Sequence, residues 1–107
     1  MIKSITYSEN GPLVTGLPGV RLQIPQGKIY TILEIKSFTQ IFARITCNTF
    51  IDDLLRYSFN PSPDDNILSI GDDIKGPRMI TSQFSGPDVW RGITSTTIVF
   101  DTNEPEE

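Results

Sequence analysis

The stretch Ile41-Phe42-Ala43-Arg44-Ile45-Thr46-Cys47 decides how this chain is read. Ile41, Ala43, Ile45 and Cys47 alternate with Phe42, Arg44 and Thr46. Successive side chains leave a β-strand on opposite faces, so this alternation predicts a half-buried strand. Working outward in both directions, the same period of two recurs between turn residues, and no segment of helical period is long enough to compete.

Toward the N-terminus, Ile2 to Tyr7 reads as a strand closed by Asn10, Gly11 and Pro12, and Gly16 to Gly19 punctuates the approach to Val20 to Ile24. There Val20, Leu22 and Ile24 share one face, and Arg21 and Gln23 share the other. Pro25, Gln26 and Gly27 predict a tight turn, because proline fixes φ and glycine supplies a positive φ. The flanking runs Val20 to Ile24 and Lys28 to Ile35 then read as a hairpin.

Toward the C-terminus, Ile51, Leu54 and Leu55 have helical spacing, and Asp52 and Asp53 suit a helix first turn. The hairpin reading is favoured, with Ile41 to Phe50 turning near Asp52 and Asp53 into Leu54 to Phe59, because Leu55, Tyr57 and Phe59 restore the period of two. Asn60 to Asn66 is a loop by composition. Ile67 to Ile70 follows, closed by Gly71, Asp72 and Asp73; then come Arg78 to Gln83, Val89 to Ile93 and the β-branched run Thr96 to Asp101. About eight or nine strands with turn signals roughly every ten residues are the spacing of a β-sandwich or barrel. The side chains expected in or beside the core are Leu22, Ile24, Leu33, Ile35, Ile45, Tyr57, Phe59, Ile98 and Phe100.

A chain of 107 residues is expected to form one domain, residues 1–103, followed by a short acidic tail, 104–107. The charges of Asp101 to Glu107 and Pro105 predict a solvated segment. Cys47 is the single cysteine, so no internal disulfide forms, and it reads as a small apolar core residue. The net charge is −4, but Glu104, Glu106 and Glu107 carry most of the excess and the body is near neutral. The nine basic residues are spread singly, which argues against a nucleic-acid partner. Met1 to Asn10 lacks the apolar centre of a signal peptide, and no run reaches the ~20 apolar residues that span a bilayer. A soluble protein starting at or near Met1, without a membrane partner, is the expectation.

The chain has no histidine, which removes the usual general base, the Ser-His and Cys-His pairings and the commonest zinc ligand. The acidic doublets Asp52-Asp53, Asp64-Asp65 and Asp72-Asp73 are explained as turn residues. Gly71-Asp72-Asp73 matches a triplet of viral polymerases, but the other motifs and the length of those enzymes are missing. A calcium site from Asp64, Asp65, Asp72 and Asp73 is chemically reasonable and lacks the loop order of the best-known calcium motif. We expect no catalytic residue, metal or cofactor. Trp90 beside Arg91 suits either a core tryptophan next to an exposed arginine or an interface anchor, and Pro61 and Pro63 mark a second contact candidate.

Arg56-Tyr57-Ser58-Phe59, the polar loop Asn60 to Asn66, Ile67 to Asp73, Phe84-Ser85-Gly86, and Val89-Trp90-Arg91-Gly92-Ile93-Thr94-Ser95 running into Thr96 to Asp101 share a cadence. It resembles small jelly-roll virion proteins of tailed bacteriophages, the capsid decoration and head or tail accessory proteins. The resemblance covers residues 28–103 and departs from the pattern in lacking a glycine between Ser95 and Ile98. It implies a β-sandwich of jelly-roll type with about eight short antiparallel strands. It also implies a non-enzymatic structural role in the virion after synthesis in the host cytoplasm, with other virion proteins as partners, commonly as a homotrimer. Two other classes stay open: a carbohydrate- or receptor-binding module using Trp90, Tyr30 or Tyr57 as a stacking platform, and a small host-directed inhibitor using its acidic loops.

Overall fold

The computed structural model describes residues 1–10, 13–14, 18–39, 46–60, 67–85, 89–90 and 93–104. Within them the chain is all-β and contains no helix. The strands are β1 (Ile2–Asn10), β2 (Leu13–Val14), β3 (Pro18–Ile24), β4 (Ile29–Thr39), β5 (Thr46–Ile51), β6 (Leu54–Phe59), β7 (Ile67–Lys75), β8 (Arg78–Ser85), β9 (Val89–Trp90) and β10 (Ile93–Asp101). Eight of them form two four-stranded antiparallel sheets, ordered β1-β10-β4-β7 and β3-β8-β5-β6, and β2 with β9 makes a two-stranded ribbon.

Both sheets contribute to one core. Val20, Leu22, Ile24 and Ile80 of the second sheet meet Ile32, Ile74, Ile98 and Phe100 of the first. Burying each such side chain is worth about 1.5–3 kcal/mol, which makes this cluster the main source of stability. Tyr30 stacks on Phe100 with ring centroids 5.3 Å apart. Alongside the aliphatic cluster lie five small buried side chains, Ser37, Cys47, Thr49, Ser82 and Thr96. The Ser82 hydroxyl is 2.9 Å from that of Thr49 and 3.5 Å from the Cys47 sulfur, so these three satisfy one another, whereas the buried Ser37 and Thr96 hydroxyls have no hydrogen-bond partner among the described residues.

The turn expected at Pro25 to Gly27 forms, with the Lys28 N–H donating to the Pro25 carbonyl at 3.2 Å and Gly27 at φ 82°. The hairpin around it does not, because β3 pairs with β8 whereas β4 pairs with β10 and β7. The turn carries the chain between sheets. A hairpin would have set the apolar faces of β3 and β4 side by side; facing each other across the core, they are both buried. The bend between β7 and β8, which contains a cis Gly76–Pro77 bond, nests against the same turn. The Gly76 N–H donates to the Lys28 carbonyl at 2.8 Å.

Three further expectations need correction. Gly71, Asp72 and Asp73 do not close a short strand; β7 runs through them to Lys75, and its register against β4 shifts beside Gly71. Leu33 is only half-buried, because the register between β4 and β10 shifts at Val99/Phe100 and leaves Leu33 as the extra residue. That bulge sends both Ile32 and Ile35 inward. Last, the segment from Asp101 is held in place through Glu104. Asp101 belongs to β10, Thr102 is buried, the Asn103 amide donates to the Ile29 carbonyl at 2.8 Å, and Glu104 pairs with Lys28 at 2.8 Å.

The hairpin at Asp52-Asp53 is present, with φ of 49° and 68° at these residues and a two-residue connection between β5 and β6. Aspartate tolerates this left-handed region better than most residues, which accounts for the doublet. Leu22, Ile24, Ile35, Ile98, Phe100 and Cys47 are buried as expected, and Tyr57 and Phe59 are half-buried, paired on the inner face with the buried Thr49 and Cys47. Ile45 and the rest of Ile41 to Ile45 lie outside the described residues.

Candidate functional site

Two surface regions combine exposed apolar side chains with defined polar groups. The first runs along β1, an outer strand whose nine residues pair without a break against β10, from Ile2 opposite Asp101 to Asn10 opposite Ile93. Ile5 packs against the core while Tyr7 is 41 % exposed. Between β1 and β3, the outer strands on the same side of the two sheets, opens a groove of about 410 Å³ lined by Ile5, Tyr7, Gly19, Val20 and Arg21. A side chain on Gly19 would run into the Ser82 carbonyl, so glycine is what lets β3 lie this close to β8.

The second region is the tip of the β5–β6 hairpin. Leu54 and Leu55 are 75 % and 60 % exposed. Period two allows only one of two adjacent leucines to face the core, so one exposed leucine was already implied by the sequence. The register explains the other. Leu54 stands opposite Ile51 on the inner face but overhangs an open cleft, and a shift between Thr49 and Phe50 makes Arg56 an extra residue that leaves Leu55 opposite Phe50 on the outer face. The cleft measures about 510 Å³ and is rimmed by Arg56, Lys75 and Arg78.

Charges at this tip are organised by hydrogen bonds. Asp52 accepts from the Met79 N–H at 3.0 Å and from Arg78 Nη1 at 2.7 Å, and these two donors hold its carboxyl below the usual range. Tyr57 donates to Asp72 at 2.5 Å; burial, with the Asp72 carboxylate adding to it, pushes the phenol pKa up. The Arg56 guanidinium sits 5.8 Å from the Tyr57 ring centroid and 3.6 Å from Asp72. Asp73, on the opposite face of β7, accepts from Thr31 at 2.6 Å.

Asp72 and Asp73 are therefore engaged separately and do not converge on a common point, while Asp64 and Asp65 lie outside the described residues. Among the described residues no group of three or more His, Cys, Asp or Glu side chains comes together. Cys47 is buried, its thiol pKa is raised by that burial, and its neighbours are hydroxyls rather than a base. Trp90 falls in β9, opposite Leu13; Arg91, Pro61 and Pro63 lie outside the described residues. No helix of the described residues is long and apolar enough to cross a membrane. Comparison with family models, with curated proteins and with solved structures finds no match to this chain.

Proposed function

We propose that this protein is a structural subunit of a bacteriophage virion, a capsid decoration or head–tail accessory protein that works by protein–protein contact and not by catalysis. The observation that supports this reading is the strand order. Counting only the eight long strands, β1-β10-β4-β7 and β3-β8-β5-β6 become 1-8-3-6 and 2-7-4-5. That order arises when one long antiparallel ribbon folds over itself, so we read the fold as a jelly-roll β-sandwich, an architecture common in viral capsid proteins and lectins. The nested bends Pro25 to Lys28 and Gly76-Pro77 are where such a ribbon would fold from sheet to sheet.

Fold alone does not assign function, and the contact role rests on the surfaces. An apolar groove beside exposed Tyr7 and a charge-rimmed cleft beside exposed Leu54 and Leu55 suit a partner surface, and Trp90, Arg91, Pro61 and Pro63 are carried forward as contact residues. A closed homo-oligomer is the assembly proposed. The test is quantitative mass spectrometry and immunogold labelling of purified particles of the virus that carries the gene. Stoichiometric presence of the chain on particles is the expected result. Its absence, together with Trp90-dependent binding on a glycan array, would replace this reading by the carbohydrate-binding module.

A further inference from the structure

We propose that β1 pairs antiparallel with β1 of a second copy about a two-fold axis at Thr6, joining the two β1-β10-β4-β7 sheets into one continuous sheet. The argument begins with the four outer strands. β7 is bulged beside Gly71 and carries Asp72, Asp73 and Lys75. β6 has six residues with the Arg56 bulge, and β3 begins at Pro18, which has no N–H, with a register shift before Arg21. Bulges, prolines and charges are the means by which sheet edges are kept from pairing. β1 has no bulge, proline or glycine, keeps register over nine residues, and among the described residues no strand pairs with its outer side; its two charges, Lys3 and Glu9, are of opposite sign.

Its sequence is also complementary to itself. In the antiparallel register centred on Thr6, all nine residues find partners: Lys3 stands opposite Glu9, Ser4 opposite Ser8, Ile5 opposite Tyr7, and Thr6 opposite Thr6. The strand's two charged positions thus meet with opposite sign, twice per dimer, and its apolar and aromatic positions meet each other. Because the register sum is even, the core-facing sides of both copies lie on the same side of the joined sheet. The two β1–β3 grooves then adjoin, and the partner covers the exposed Tyr7. This is an isologous contact and commits the occupant of the edge to a second copy of this chain. The inference deepens the contact role proposed above and rests on that role for its use in an assembly.

Charge reversal tests it. The full chain should sediment at twice 12.0 kDa. Lys3→Glu and Glu9→Lys, each shown by circular dichroism to keep the native fold, should each weaken the dimer at least tenfold, and more at low salt. The double variant Lys3→Glu/Glu9→Lys should restore it. Independently, Thr6→Cys should give a disulfide-linked dimer with oxidised glutathione under native conditions, because Thr6 meets itself on the axis whereas Cys47 is buried. A monomer at about 100 µM, a trimer, or a dimer indifferent to both single reversals would overturn the proposal. None of these results bears on whether the chain is present in particles, so the two readings fail separately.

Discussion

The Tyr57 hydroxyl donates to Asp72 at 2.5 Å, and this bond ties the outermost strand of one sheet to the outermost strand of the other. Hydrogen bonds to charged acceptors are the stronger class, but here the site is only partly shielded from water. Tyr57→Phe should therefore cost about 1 kcal/mol, read as a lower urea midpoint with unchanged slope. Burial and Asp72 both raise the phenol pKa, so the contribution is present below about pH 10 and disappears as pH rises through the higher folded value. An unchanged midpoint in Tyr57→Phe would mean that the two edges are held by something else.

The two bends between the sheets lie too close together for a side chain. A Cβ on Gly76 would stand 2.6 Å from the Ile24 carbonyl oxygen and nearer still to that of Pro25, both of them backbone atoms. Gly76→Ala should destabilise by about 3 kcal/mol or leave the protein in inclusion bodies, whereas Gly71→Ala, with open space around it, should change stability by less than about 0.5 kcal/mol. Equal effects from the two substitutions would contradict the nesting of the bends.

Acid should loosen the surface before the core. Asp52 is held down by the Met79 N–H and Arg78, Asp101 by the Asn103 N–H and the Met1 amino group, and Glu104 by Lys28. Each folded pKa lies below its unfolded value. The stability these groups give is complete above the ordinary carboxylate value, about 4, and is lost as pH falls through the lower folded values. Thermal melts should be flat from pH 7 to about pH 5 and fall below that. Asp52→Asn should flatten the acid limb; a variant with the same acid limb as wild type would show that Asp52 does not drive it.

Cys47 offers a probe of the interior. Burial raises its thiol pKa and closes it to solvent, so a disulfide reagent at neutral pH should label it only at the rate at which the protein opens. Ile24→Ala, which empties part of the core, should lower stability by about 2–5 kcal/mol and speed labelling accordingly. Rapid labelling of the wild type would place Cys47 at the surface.

Period two made the strands legible wherever it ran unbroken, as in Val20 to Ile24 and Thr96 to Asp101. It misled at Leu33, because a bulge changes which side chains face inward without leaving a mark in composition. The Pro25 to Gly27 turn was readable, but partner choice was not: a turn's residues fix its φ values, while the burial of two apolar faces decided that β3 and β4 would part. Gly71-Asp72-Asp73 looked like a stop because glycine and aspartate favour turns. In the fold, pairing with β4 and the bonds from Tyr57 and Thr31 outweigh that preference. Of the surface, the hairpin doublet and one outward leucine were implied, whereas the grooves depend on pairings distant in sequence.

The placement of β10 between β1 and β4 bears on how the protein is made. Translation produces β1 before the other nine strands, yet the strand that pairs with it is the last of the ten to emerge. During that interval the β1 segment lacks its strand partner, and a neighbouring nascent chain on the same message carries the same sequence. Denser packing of ribosomes on the message should therefore lower the yield of folded protein.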